Sequence, residues 1–328
     1  MIRLNKKATW MVVALLAFLS GCGSSGYISR KAHFSLPQSG QVKVMTFNIR
    51  TRTIIDGFNG WNHRKQMVFD MLADNAADVV GLQEARASQL RQIRQALPEY
   101  GVYSAGRSDG LAGGESCPIL YRKSRLSLKE AGTFWFSDTP SVPGTKDWGN
   151  MPPRICSWAH LVENSSGNGF YVYNLHLDNL SQNSREKSVR LLTRKIARRK
   201  AADPFLIMGD FNMEPSNPAM AFLQTAHAGL AQGIRDVWQS IHPNKSIGTR
   251  HGFDGGYSGP QIDHILICDS IQALDARIDN RQVNGRYPSD HFPVIAKVLI
   301  TRPATLKYRS TTLQTTGTRI LRQGLPGV

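Results

Sequence analysis

The stretch PFLIMGDFN (204–212) fixes how the chain is read: four apolar residues run from Phe205 to a glycine, and the polar Asp210 and Asn212 follow at once. A short apolar run ending in Gly-Asp is a buried strand whose polar residues emerge at its end. The same pattern recurs on both sides. FYVYNLHLD (170–178) ends in His176 and Asp178, VKVMTFNI (42–49) carries Asn48 near its end, and DVVGLQE (78–84) ends in Glu84. Downstream, QIDHILIC (261–268) opens with Asp263, and FPVIAKVLI (292–300) follows Asp290 and His291.

Helical spacing separates several of these strands. WNHRKQMVFDMLADNAA (61–77) places Met67, Val68, Met71 and Leu72 on one face, SQLRQIRQAL (88–97) is a second helix, and SREKSVRLLTRKIARRK (184–200) is amphipathic with a dense basic face. CPILYR (117–122), SLKEAGTFWF (127–136) and RICSWAHLV (154–162) read as further strands, and the Pro- and Gly-rich 137–153 as a long surface loop. No internal linker or repeat interrupts 41–300, which is expected to be one domain. An α/β chain of this kind places its site where strands end at one rim.

Composition narrows the class. With 41% hydrophobic and 20% charged residues in 328, the chain is too apolar for disorder and long enough for a large core. The net charge of +16 points to a nucleic-acid binder until it is divided. Residues 1–40 and 301–328 each carry five bases and no acid, leaving 30 bases and 24 acids between them, a net of +6. Most of the excess therefore sits at the ends.

The N-terminus reads as an address. Arg3, Lys6 and Lys7 precede the apolar run Trp10–Leu19, and Leu19-Ser20-Gly21-Cys22 follows. L-S-G-C resembles a bacterial lipobox, which implies a lipid on Cys22, a signal peptide over 1–21 and a flexible tether over 22–40. Gly23 in place of an inner-membrane retention aspartate favours the outer membrane, facing periplasm or exterior. Residues 301–328 are expected to form a basic, loosely ordered tail. Cys117, Cys156 and Cys268 fit no zinc pattern and read either as buried hydrophobes or as one disulfide with a thiol left over.

In their order along the chain, TFNIR (46–50), LQE (82–84), NLHLD (174–178), GDFN (209–212), IDHI (262–265) and SDHFPV (289–294) resemble the endonuclease/exonuclease/phosphatase superfamily across about residues 42–298. GTFWFSDTP (132–140), MPPRICSWA (151–159) and GRYPSDHFP (285–293) look like a bacterial branch of it. The resemblance implies a four-layer sandwich of two mixed β-sheets face to face with helices outside. It also implies Glu84 as the main metal carboxylate, with Asn48 and Asp290 completing or supporting the shell. His291 would be the catalytic histidine oriented by Asp263, acting as base or as phosphate contact. Asp210 would either activate water or protonate the leaving oxygen. Asn212 and His176 would hydrogen-bond the phosphate.

The donors are oxygens and no thiolate, which suits Mg²⁺ or Mn²⁺. Arg154 is a candidate phosphate contact and equally a surface arginine; Asp178 and Gln83 are candidate supports, and Glu115 a candidate substrate selector. Calcineurin-like two-metal phosphatases would need an early D-x-H and a later GNH, and neither is present. The expected function is Mg²⁺-dependent phosphodiester hydrolysis outside the cytoplasm by a monomer, with DNA or RNA as first substrate class. A small-molecule or lipid phosphodiesterase or phosphatase is the alternative, and a non-catalytic surface binding lipoprotein a distant one.

Overall fold

A computed structural model of the chain describes residues 39–225, 230 and 233–301. The expected signal peptide, the lipidated Cys22, nearly all of the tether and all but Thr301 of the tail lie outside the described residues.

The chain runs β1 (Gln41–Asn48), α1 (Trp61–Asn75), β2 (Val79–Gln83), the two-residue β3 (Ala85–Arg86), α2 (Ala87–Ala96) and β4 (Tyr100–Tyr103). It continues through the two-residue β5 (Glu115–Ser116), β6 (Ile119–Arg122), β7 (Leu126–Trp135), β8 (Ile155–Glu163), β9 (Gly169–His176) and α3 (Gln182–Ala197). Then come β10 (Phe205–Asp210), α4 (Pro218–Thr225), β11 (Ile234–Asp236), α5 (Val237–Ile241), β12 (Asp263–Cys268), β13 (Ile271–Ile278) and β14 (Val294–Ile300).

Two six-stranded mixed sheets result, ordered β13-β14-β1-β2-β6-β4 and β11-β12-β10-β9-β8-β7. The sheets face each other through β1 and β2 on one side and β9, β10 and β12 on the other. Alternation along β1 explains the layering. Val42 and Val44 join the core between the sheets, while Met45 and Phe47 join a second cluster with Trp61, Val68, Met71 and Leu72 of α1 and Leu90 and Ile93 of α2. Val189, Leu192 and Ile196 of α3 cover the other sheet. The four-layer sandwich is the architecture expected.

The parallel pairs β1–β2 and β9–β10 carry their C-terminal ends to the same rim, and the registers Asn48↔Gln83 and His176↔Asp210↔Asp263 line up the polar ends. Five strands and two short helices escape the sequence reading: the two-residue β3 and β5, then β4, β11, β13, α4 and α5. β13 is an edge strand with four exposed or half-exposed positions in its middle, so no continuous apolar run marks it. The 137–153 loop is a loop, and all three described cysteines are free and buried.

Gly209 shows how tightly β9 and β10 abut before the catalytic rim. Its φ is +150°, and a Cβ there would lie 2.1 Å from the Leu175 carbonyl oxygen. Gly209→Ala should therefore destabilise the fold by ~2–4 kcal/mol, because neither backbone can yield without breaking the β9–β10 ladder. Thermal unfolding of the purified variant measures this, and an unchanged Tm would refute the close approach.

Candidate active site

Glu84, His176, Asp210, Asn212, Asp290 and His291 line one hollow of about 560 Å³ at the shared rim, with Asn48 and Asp263 bonded to them. Asn48, at the end of β1, joins the two sheets. Its Nδ2 donates to Glu84 Oε1 at 3.2 Å and to Asp210 Oδ2 at 2.9 Å, while its Oδ1 accepts from the Arg50 backbone at 3.0 Å. Glu84 leaves β2 at φ +60°, and its Oε2 accepts from the Thr51 amide at 2.8 Å. Ser289 Oγ donates to the Asn48 carbonyl at 2.6 Å, drawing Asp290 and His291 to the same place. His291 Nδ1 lies 2.9 Å from Asp263 Oδ2, and His176 Nε2 3.5 Å from Asp210 Oδ2.

Burial sets the charges. Asp210 is pushed up to about 7, first by desolvation and then by the neighbouring Asp263 carboxylate. Burial opposes a charge on His291, but the Asp263 carboxylate and its hydrogen bond outweigh it and raise the imidazole to about 10. His176 is held well below its ordinary value by burial and by the Arg154 and Arg107 guanidinium groups. Near neutrality the site thus pairs a charged His291 with an uncharged His176.

Two donor sets face the hollow. Asp210, Asp263 and His291 present ligand atoms within 4.8 Å of one another. Of these, Asp263 and His291 are already hydrogen-bonded to each other, although Asp263 Oδ1 is buried without a partner among the described residues. Glu84, braced by Asn48, and Asp290 border the same hollow and make the second set. This second set consists of oxygens alone, the donor type that hard divalent cations take.

The walls add the cations Arg50, Arg107, Arg154 and Arg250 and two further acids, Glu115 and Glu214. Arg107 Nη1 meets Glu115 Oε2 at 2.8 Å, and both side chains are mostly buried. Arg154 is buried, not a surface arginine: it donates to Asp178 Oδ2 at 3.3 Å and to Asn179 Oδ1 at 2.7 Å, and it lines the hollow. Asp178 is pinned in turn by the Leu180 and Ser181 amides. Gln83 points into the intersheet space, where its Nε2 donates to Asn174 Oδ1 at 2.7 Å. Asn212 borders the hollow at φ +50° and donates to the Leu177 carbonyl at 3.0 Å.

Sequence reasoning missed Arg64 and His264. Arg64 sits fully buried on α1 and donates to the carbonyls of Ile49, Arg50, Asn59 and Pro288, tying the end of β1 to the segment that carries Asp290. Its spacing from Trp61, Val68 and Met71 was the available signal, since 61, 64, 68 and 71 share a helix face. His264 lies between Asp236, 2.7 Å from Nδ1, and the Met213 carbonyl, 3.1 Å from Nε2. It thereby holds the loop that bears Asn212.

With this arrangement in view, the comparisons agree. A sequence profile of the Endonuclease/Exonuclease/phosphatase family matches residues 45–291. The chain belongs to that family. A family structure from Bacteroides vulgatus is 29% identical, covers 79% of this chain and 99% of its own, and superposes with a TM-score of 0.73. A mannosyl-6-phosphatase of Bacteroides thetaiotaomicron is 30% identical over 79% of this chain and 100% of its own, with a TM-score of 0.72. Drosophila melanogaster nocturnin is 24% identical across 80% of this chain, which spans only 47% of nocturnin's length. As a member of this family the protein is a metal-dependent phosphoesterase.

The His264–Asp236 pair makes a checkable statement about stability. Burial opposes the imidazolium, the Asp236 hydrogen bond and charge overcome it, and the His264 pKa is raised. A raised folded pKa means the pair stabilises fully below the unfolded value near 6.5 and loses that contribution as pH climbs through the folded one. His264→Gln should therefore cost ~1–3 kcal/mol at mildly acidic pH and less at alkaline pH. Urea unfolding across a pH series reads this out; a deficit that grew with pH would contradict it.

Proposed function

We propose that the protein hydrolyses a small, hydroxyl-rich phosphoester, in its simplest form a sugar phosphate, with Mg²⁺ or Mn²⁺, from an anchored position in the cell envelope. The observation that carries the substrate class is Glu115 in the cavity wall. A largely buried carboxylate beside Arg107 accepts hydrogen bonds from sugar hydroxyls and repels a second phosphate, whereas a polynucleotide brings a charge with every residue. Similarity to a mannosyl-6-phosphatase supports the same class.

Glu84 and Asp290 would hold the ion, with the Asn48 amide bracing Glu84. The bound ion polarises a phosphoryl oxygen and offsets charge developing in the transition state. His291, kept protonated and oriented by Asp263, donates to a phosphoryl oxygen. Asp210, raised by burial, is suited to orient the attacking water and exchange a proton with it. The second Asn212 amide hydrogen and an N–H of neutral His176 complete the phosphate contacts, and Arg154, held by Asp178, presents its remaining N–H groups.

A nuclease is the second reading, favoured by the basic helix α3. Its cations Arg194, Lys195 and Arg198 line a different hollow that shares no residue with the catalytic one, so they provide no track leading into the site. The envelope location rests on L-S-G-C at 19–22 after a short apolar run.

Purified protein with Mg²⁺ is expected to release phosphate from mannose 6-phosphate and to cut DNA and RNA poorly. Chelator should abolish both, and Glu84→Ala should lower kcat/KM by ~10³ or more. Glu115→Gln should raise KM for the sugar phosphate about tenfold relative to p-nitrophenyl phosphate, which offers no hydroxyls. Faster cleavage of nucleic acid than of any sugar phosphate would give the nuclease reading its place. Separately, Cys22→Ser should release the protein from membranes or leave it unprocessed; unchanged detergent partition would defeat the anchor.

A further inference from the structure

A second hollow of about 490 Å³ lies between the C-terminal half of α3 and strands β7, β8 and β9. Its size falls in the range of small-molecule sites. Trp158 makes a platform there. It pairs across the ladder with Gly132, where a Cβ would come within 2.8–2.9 Å of three indole atoms, so the ring lies flat over glycine backbone. Trp158 is partly exposed, and Tyr171 packs beside it with ring centroids 6.2 Å apart.

Polar groups in this hollow are left over. Tyr173 is 3% exposed and lines it, yet its hydroxyl has no hydrogen-bond partner among the described residues. The Trp158 indole N–H has none there either. Both groups open onto the hollow and are free to meet a polar ligand there.

The charges tell the same story. Arg194 lies in the last turn of α3 and Arg198 at its C-terminal cap, with no carboxylate or carbonyl on either guanidinium among the described residues. Their neighbours differ. Lys200 pairs with Glu130 at 2.8 Å, Arg199 donates to the Asp203 carbonyl at 3.0 Å, and Lys195 lies over the Phe134 ring. Two unmatched guanidinium forks beside an aromatic platform suit a flat ring that carries an oxyanion.

We infer that the hollow between α3 and β7–β9 is a second binding site, separate from the catalytic one, for a ring compound bearing a phosphate group. The ring lies on Trp158, Arg194 and Arg198 grip the oxyanion, and the Tyr173 hydroxyl contacts the ring's polar edge. This chemistry is shared by nucleotides and sugar phosphates. The β7–β8 connection contributes Pro140 and Ser141 to this hollow and Pro152 to the catalytic one, so both ligands would touch one loop.

The test titrates the full chain, in chelator to stop turnover, with AMP, with glucose 6-phosphate and with inorganic phosphate. Calorimetry and tryptophan fluorescence are followed together. One of the two ring compounds should bind more tightly than inorganic phosphate and change the fluorescence, and the one that does so identifies the source. The exposed double variant Arg194→Glu/Arg198→Glu should weaken that binding about tenfold or more, with Tm and Mg²⁺-dependent turnover unchanged. Trp158→Phe should remove the fluorescence response, and Tyr173→Phe should weaken binding several-fold while the fold is kept. The inference is overturned if neither ring compound binds better than inorganic phosphate, or if the double arginine variant binds them as well as the parent.

Discussion

Two β-sheets packed face to face through apolar side chains can slide over one another at little cost, and a catalytic site drawn from both cannot tolerate that. Buried amides set the register here. Gln83 of β2 donates across the gap to Asn174 of β9 at 2.7 Å, and Asn174 donates back to the Leu82 and Pro118 carbonyls at 2.8 and 2.9 Å. All of these groups are fully buried, so a slip by one residue would strand several donors and acceptors without water. Gly81 permits the close approach: a Cβ there would meet the Asn174 side chain at 2.8 Å. At the rim, Asn48 repeats the device by donating to Glu84 on its own side and to Asp210 on the other. The registry of the sheets and the geometry of the site are one constraint.

That constraint brings acids together that would repel one another in isolation. Glu84, Asp210, Asp290 and His291 border the cavity, with Asp263 behind His291. Balance comes from several directions. His291 carries its charge against burial because Asp263 and Asp210 favour it, and Arg50 reaches Asp290 at 3.9 Å while it is clamped by Asp56 at 2.8 Å. Arg64 brings a buried cation whose hydrogen bonds go to carbonyls, which lies over the Trp61 ring and stands in the field of Asp290, Asp56 and Glu84. Its guanidinium thus does two jobs, fixing backbone and offsetting the charge of the rim.

Much of this was legible in the sequence, for a physical reason. A buried strand must be apolar, so polar residues at its end stand out; Asn48, Glu84, His176, Asp210, Asp263 and Asp290 were all visible in that way, and they do meet at one rim. What stayed hidden depended on contacts distant in the chain. Arg64 went unread because its partners are carbonyls, which have no sequence signature. His264 went unread as well: alternation along β12 turns it to the face opposite Asp263, toward Asp236 and Met213, partners distant in the chain. Arg154 could not be told from a surface arginine, since its burial depends on Asp178 and Asn179, some 24 residues on. β13 was missed because an edge strand needs no continuous apolar stretch.

The backbone at the rim is shaped by the same side chains that face the substrate. Arg50, Glu84 and Asn212 each adopt positive φ, near +54°, +60° and +50°, just where a strand ends. A non-glycine residue held there costs on the order of 1 kcal/mol or more and persists only when its surroundings compensate. The compensation is specific: Asn48 Oδ1 accepts from the Arg50 amide, Glu84 Oε2 from the Thr51 amide, and Asp210 Oδ1 from the Asn212 amide at 2.9 Å. The turn at Arg50 is thus tied by Asn48 and Glu84 and the turn at Asn212 by Asp210, and each of those side chains has its orientation fixed by the turn it ties. Removing one of them loosens a loop as well as deleting a functional group. A loss of turnover after substitution at Asn48, Glu84 or Asp210 therefore sums a chemical and a conformational effect. Glu84→Gln keeps the Thr51 amide's acceptor while the charge is lost, and so holds the Arg50 turn, although its amide N–H then faces Asn48 Nδ2 and gives up that bond.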